Sequence, residues 1–235
     1  LLDHLGKPAA LLATYGTIVS LLYLFGFWGH LGINALEYIG LADIVRLSLY
    51  PMLISLAAIL FGFLVSNWSN QNVLPPGEGK GSKLGKALNK YGQLIAIAWG
   101  IGAFLVFQSQ PETTRWSSLG FMLMPYSIAL SNIPAVMNAI PNDRVRTTIM
   151  ALAVLLPPLV YGTGVKNAEK IRTADVDYAI DASRLPEALA LRSTARKPIL
   201  YVGQLGNRIA LYETLSKQVV LVREDQISVL PIREK

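Results

Sequence analysis

Runs of about twenty residues without a charge constrain this chain more than any motif in it. From Pro8 to Gly29 there is no Asp, Glu, Lys, Arg or His, and the run closes on Tyr23, Phe25, Phe27 and Trp28, aromatic residues suited to the headgroup level of a bilayer. A hydrocarbon core about 30 Å thick takes about 20 apolar residues of helix, because each backbone amide must be satisfied inside its own segment. Four further stretches meet that demand. Leu47 to Val65 closes at Trp68 and follows Asp43 and Arg46, and Tyr91 to Gln108 contains Trp99, Gly100 and Gly102. Trp116 to Ile140 is interrupted by Pro125 and Pro134, and Thr147 to Val165 carries Pro157 and Pro158 near its middle. The chain therefore reads as a polytopic α-helical membrane protein of about five spans, the fourth kinked or partly re-entrant and the fifth bent at its prolines. If the fourth is re-entrant, four spans remain. The first stretch lacks a small-residue cleavage pattern and reads as a retained helix.

Charge divides the chain in the same way. Residues 1–165 hold nine Lys/Arg and six Asp/Glu, whereas the shorter segment 166–235 holds twelve and nine. A charged group at the bilayer centre costs about 2.5 to 3.5 kcal/mol on insertion scales, so the first part reads as a lipid-embedded bundle and the second as a hydrated domain. The overall charge of +6 is spread over loops and tail rather than gathered in one patch, which argues against nucleic acid. With no cysteine there is no disulfide, thiolate metal site or cysteine nucleophile.

Orientation rests on the loop from Ser69 to Lys90, whose Lys80, Lys83, Lys86 and Lys90 suit the cytoplasmic side and contact with anionic lipid heads. That choice puts the N-terminus, Lys7, Arg144 and Arg146 inside and leaves Arg46 and Arg115 outside. Five spans then export the tail, whereas a re-entrant fourth segment returns it to the cytoplasm. Lys166, Lys170 and Arg172 directly after the last span favour the second arrangement, but long domains translocate largely regardless of charge, and the tail is expected outside. The expected location is a cell membrane, that of the bacterial cytoplasm. Between the first two spans, Leu31, Ile33, Leu36 and Ile39 set against Asn34 and Glu37 suggest a short interfacial helix, with a plain loop as the alternative. Small residues four apart, Gly16/Ser20, Ala58/Gly62/Ser66 and Ala98/Gly102, read as helix-packing positions.

From Ile199 the pattern becomes that of strands. Ile199 to Val202, Arg208 to Tyr212, Gln218 to Val222 and Ile227 to Ile232 are separated by the turn formers Leu205 to Asn207, Thr214 to Lys217 and Glu224-Asp225, which predicts a four-stranded antiparallel meander. Val176 to Ile180 reads as a fifth strand and Pro186 to Arg192 as a short helix, giving a small α+β domain. Pro231, Arg233 and Glu234 would guard a terminal edge strand. Seventy residues are few for independent stability, so this domain is expected to lean on a partner, a neighbouring subunit or the membrane surface.

Catalytic patterns are missing. The loop Gly77 to Lys83 fails the G-x-x-x-x-G-K-[ST] spacing of a phosphate cradle and follows no strand. The two histidines, His4 and His30, lie near the ends of the first span and read as interfacial groups, and no G-x-S-x-G elbow occurs. No span carries an ionisable group in its interior, which counts against proton-coupled transport. The leading expectation is a non-enzymatic membrane protein without cofactor or metal. Its C-terminal domain would bind a protein partner, with Tyr201, Arg208, Tyr212 and Arg223 as contact residues. An immunity protein against a membrane-targeted toxin or a membrane subunit of a larger assembly would fit. The alternative is a homo-oligomeric channel lined by the kinked fourth and fifth spans, in which Asn132, Pro134 and Asn138 expose backbone carbonyls at a break. A lipid enzyme ranks third, because acid and base groups are scarce in the lipid zone.

Overall fold

A computed structural model of the chain describes residues 2–40, 83–176, 178–181, 198–227 and 232–234, with positions 43, 44, 46, 53, 57, 61, 191 and 194. Its helices are α1 (Leu2–His30), α2 (Lys83–Ser109), α3 (Glu112–Met122), α4 (Met124–Ser131), α5 (Pro134–Ala139) and α6 (Asp143–Arg172). The strands are β1 (Tyr178–Ile180), β2 (Ile199–Leu205), β3 (Arg208–Glu213), β4 (Gln218–Arg223) and β5 (Ile232–Glu234). Two of these helices, over Lys90–Ser109 and Val145–Arg172, are long and apolar enough to cross a membrane. The expected second span and the helix at Pro186 to Arg192 lie outside the described residues, apart from Leu191 and the helical, exposed Leu53, Ala57 and Phe61. The chain forms two compact units, Leu1–Tyr50 with Thr163–Lys235, and Pro51–Gly162, the division falling inside α6.

In the unit Pro51–Gly162, α2 starts at Lys83, so the end of the expected loop is helix instead; Lys, Leu and Ala all favour that state once a helix continues beyond them. The expected fourth span is three short helices. Pro125 and Pro134 each stand in the first turn of a new helix, where a missing N–H costs nothing, and not inside a kinked one. The chain turns back between α2 and α3, since Phe107 meets Trp116 at 5.2 Å between ring centroids while the Tyr126 hydroxyl donates to the Ala96 carbonyl at 2.8 Å. Gly100 makes room for that reach: a Cβ there would lie 2.5 Å from the Tyr126 oxygen. Trp99 donates its indole N–H to the Met122 carbonyl at 2.7 Å, at the break between α3 and α4. There Tyr126 N–H bonds to Leu123 and so does not continue the α-helical ladder to Met122. Helix α3 in turn runs antiparallel to α6, with Trp116 against Tyr161 and a Cβ on Gly120 or Gly162 brought within 2.8 Å of Leu159 or Ser117.

Helix α6 is continuous through Pro157 and Pro158. Asn142 caps it by accepting from the Val145 N–H at 3.2 Å, and its buried Arg146 donates to the Ile140 carbonyl at 3.1 Å and pairs with Asp143. At the other end Asp175 N–H bonds to Lys170 carbonyl at 2.9 Å, a Schellman closure that sets Ala174 at φ 56.

In the other unit α1 lies parallel to the last turns of α6. A Cβ on Gly164 would stand 2.6 Å from the Tyr23 carbonyl and 2.8 Å from the Phe27 nitrogen, so glycine is what lets these backbones touch. Of the small-residue pairs picked out in the sequence, Ala58/Gly62/Ser66 lies outside the described residues, Ser20 is buried, and Gly16 and Gly102 face nothing within 4 Å among the described residues. Among the described residues, the anticipated interfacial helix after α1 reduces to one 3-10 turn, Ala35–Glu37, within a loop.

The sheet has the order β4-β3-β2-β1-β5, all described pairs antiparallel. Strands β2, β3 and β4 form the anticipated meander. The first turn has Gly206 at φ 56 followed by Asn207, and the second ends at Lys217 with φ 57. The last strand departs from expectation. Glu224-Asp225 lacks the residues of a two-residue hairpin and forms a 3-10 turn, after which the chain crosses to pair β5 with β1, Ile180 opposite Ile232. Strand β1 occupies part of the expected fifth strand and lies inside the sheet. On one face Ile180, Ile199, Leu211, Val222 and Ile227 form a core. A bulge at Val202 shifts the register of β2, and the opposite face buries Leu200, Leu205, Ala210 and Tyr212.

Candidate functional site at the seat of the sheet

The buried second face of the sheet is met by the end of α1 and the loop after it. The Trp28 ring lies under Gly203, where a Cβ would be 3.5 Å from it, and Trp28 itself is buried. In the next turn Gly206 presses against the Tyr38 carbonyl so closely that a Cβ would collide with it. Arg208 completes the seat with its guanidinium 4.9 Å from the centroid of the Tyr38 ring. An under-sized domain thus gains its missing apolar cover from the helix that begins the chain, rather than from its own length.

Beside the seat the ends of α1 and α6 share a charged cluster. His30 Nε2 is 3.0 Å from Glu169 Oε2 and 3.2 Å from an Arg172 guanidinium nitrogen, which itself is 3.4 Å from the same carboxylate oxygen. The His30 side chain is only 11% exposed, whereas Glu169 and Arg172 open towards solvent. One turn away Asn167 donates to the Tyr23 hydroxyl at 3.5 Å. These groups bond to each other and so fasten two helix ends. Sequence reading left His30 as an isolated interfacial group, because Glu169 lies 139 positions away and nothing local announces it.

Of the residues expected to meet a partner, Tyr212 is 3% exposed and belongs to the core, and Arg208 is committed to Tyr38. Tyr201 is on the surface of β2, and partial burial raises its hydroxyl pKa above the ordinary value. Arg223 is exposed at the end of β4, pairs with Asp225 at 2.8 Å, and lines with Asn207, Glu224 and Asp225 an open hollow of about 390 Å³. Strand β4 is one edge of the sheet, and among the described residues no strand pairs with its outer side.

The remaining candidates are scattered. Asn132 caps α4, its amide donating to the Ile128 carbonyl at 3.0 Å, while Pro134 opens α5 and Asn138 is exposed near its end. Lys83 and Lys86 fall in the first turns of α2, Lys90 lies with its ammonium 5.2 Å from the Tyr91 ring, and Lys80 is outside the described residues. Comparison of the chain with family models, curated proteins and solved structures finds no match in any of the three.

Proposed function

We propose that this chain is a multi-pass, non-enzymatic membrane protein of five spans. Its C-terminal sheet would be held at the membrane on the side opposite the lysine-rich loop and engage a protein partner there. The observation that carries the reading is the surface of α2. None of its apolar span is buried, and Leu94, Ile97, Ile101, Phe104 and Leu105 are all about 60% exposed or more. Burying such side chains is worth about 1.5 to 3 kcal/mol each, so leaving five in water forfeits roughly as much as the whole net stability of a domain. Lipid around the helix removes that cost.

Helix directions support the span count. Because α2 and α6 both run antiparallel to α3 and α4, Lys83 to Lys90 and Arg146 come to the same end. Five spans from a cytoplasmic N-terminus end on the opposite side of the membrane. From Phe107 to Ala96 the return path of α3 and α4 already covers eleven residues of α2, about 16 Å at helical rise, which favours a crossing over a shallow re-entrant loop. Lysines on the cytoplasmic side would put the sheet outside.

The sheet has two edges, and the six-residue β4 offers a longer row of backbone groups to a strand from another protein than the three-residue β5. An immunity protein or the membrane subunit of an assembly would use such an edge. The channel reading has weaker support. Asn132 lies six residues beyond Tyr126, and Lys90 six residues before its partner Ala96, so both lie about 9 Å from that contact and Asn132 shares the depth of a lysine. A photo-reactive residue at Gln218 on the β4 edge should give a discrete protein adduct in intact membranes, and one at Leu105 only lipid adducts. No protein adduct at Gln218 would remove the docking edge, and a protein adduct at Leu105 would remove the lipid-facing assignment.

A further inference from the structure

The charged cluster beside the sheet contains a contradiction in its hydrogen bonding. Nε2 of His30 faces a carboxylate oxygen at 3.0 Å and a guanidinium nitrogen at 3.2 Å. Towards Glu169 that nitrogen must carry a proton, and towards Arg172 it must offer a lone pair. It cannot do both at once. The geometry points to His30 as a two-position latch between α1 and α6, whose protonation exchanges Arg172 for Glu169 as its partner.

With the ring neutral and its proton on Nδ1, Nε2 accepts from Arg172 and fixes the last residue of α6. When Nε2 takes up a proton from water, the imidazolium donates to Glu169 and repels the guanidinium beside it. The charged groups facing the ring come from α6 alone among the described residues. In the loop after α1, Glu37 bonds to Asn34 at 2.9 Å, and on the sheet Arg208 lies over Tyr38. Arg172 keeps its pairing with Glu169 at 3.4 Å but loses its tie to α1, close to where the chain enters the sheet. Two residues later Ala174 holds a left-handed conformation unfavourable for alanine, and β1 begins at Tyr178. Because uptake of one proton exchanges the partners, the latch would respond to acidification of its compartment. This inference is independent of the partner's identity and of the span count.

The test uses the full chain in lipid nanodiscs. The chain has two histidines, so His4→Gln leaves His30 as the single imidazole signal in nitrogen NMR. While the ring is neutral it should show a bare Nε2 and a protonated Nδ1, and on acidification both nitrogens protonated. Arg172→Leu should move the neutral proton to Nε2. A protonated Nε2 on the neutral ring of the unsubstituted cluster overturns the proposal without need of that variant. A spin label on Lys170→Cys, single because the chain has no cysteine, supplies the second readout. Its mobility should rise as pH falls and lose that step in His30→Gln. An equal step in both would assign the change to another group.

Discussion

Replacing Gly164 with alanine is a direct probe of how the first and last long helices meet. A Cβ there would lie 2.6 Å from the Tyr23 carbonyl oxygen and 2.8 Å from the Phe27 nitrogen, whereas ordinary contact begins near 3.4 Å. Both opposing atoms are backbone and cannot swing aside, so the helices must part by about 0.8 Å. A gap of about 0.5 to 1 Å forfeits a quarter to a half of the dispersion energy across it, and an inserted methyl in a packed contact costs about 1 to 3 kcal/mol. Alanine returns up to about 1 kcal/mol of helix propensity, leaving a net loss of about 1 to 2 kcal/mol. Gly102→Ala is the matched control, since Gly102 sits inside α2 with nothing within 4 Å and should gain up to about 1 kcal/mol. Denaturant unfolding of both variants in one detergent should therefore separate them by about 1 to 3 kcal/mol. Equal stabilities within about 0.5 kcal/mol would refute the close crossing of α1 and α6.

Gly206→Ala combines a positive φ with a collision against the Tyr38 carbonyl; it should cost about 2 kcal/mol or more and raise proteolysis of the sheet in native membranes. Trp99→Phe keeps the ring but removes the indole donor from the Met122 carbonyl, and thermal unfolding in micelles should register a loss of about 1 to 2 kcal/mol. Ala174→Gly relieves a left-handed alanine at the end of α6, and the same assay should show a gain of up to about 1 kcal/mol.

The strands and their turns were legible because their signals are local. Gly206-Asn207 and Thr214 to Lys217 mark the hairpins, and Arg208 to Tyr212 alternates between two covered faces. Prolines 125 and 134 announced the breaks in the fourth apolar stretch, but the expectation of a kinked or re-entrant segment missed that each proline starts a new short helix. What escaped notice depends on residues far apart in sequence. Gly164 looks no different from Gly16 until Tyr23 is seen behind it, and His30 gains a partner only when α6 returns beside α1. The placement of β5 beside β1 is likewise a long-range pairing that no turn residue encodes. Tyr212 illustrates the reverse error: an aromatic residue on a strand suggests a contact surface, yet here it fills the face that α1 covers.

Single cysteines give the most direct measurement, because the natural chain has none. With a membrane-impermeant maleimide on sealed spheroplasts, Ser216→Cys in the β3–β4 turn should label at once, Lys90→Cys only after lysis, and Ile101→Cys in neither condition. Labelling of Ile101→Cys in intact or lysed cells would mean that water, not lipid, surrounds α2, and the membrane-spanning account would fail with it.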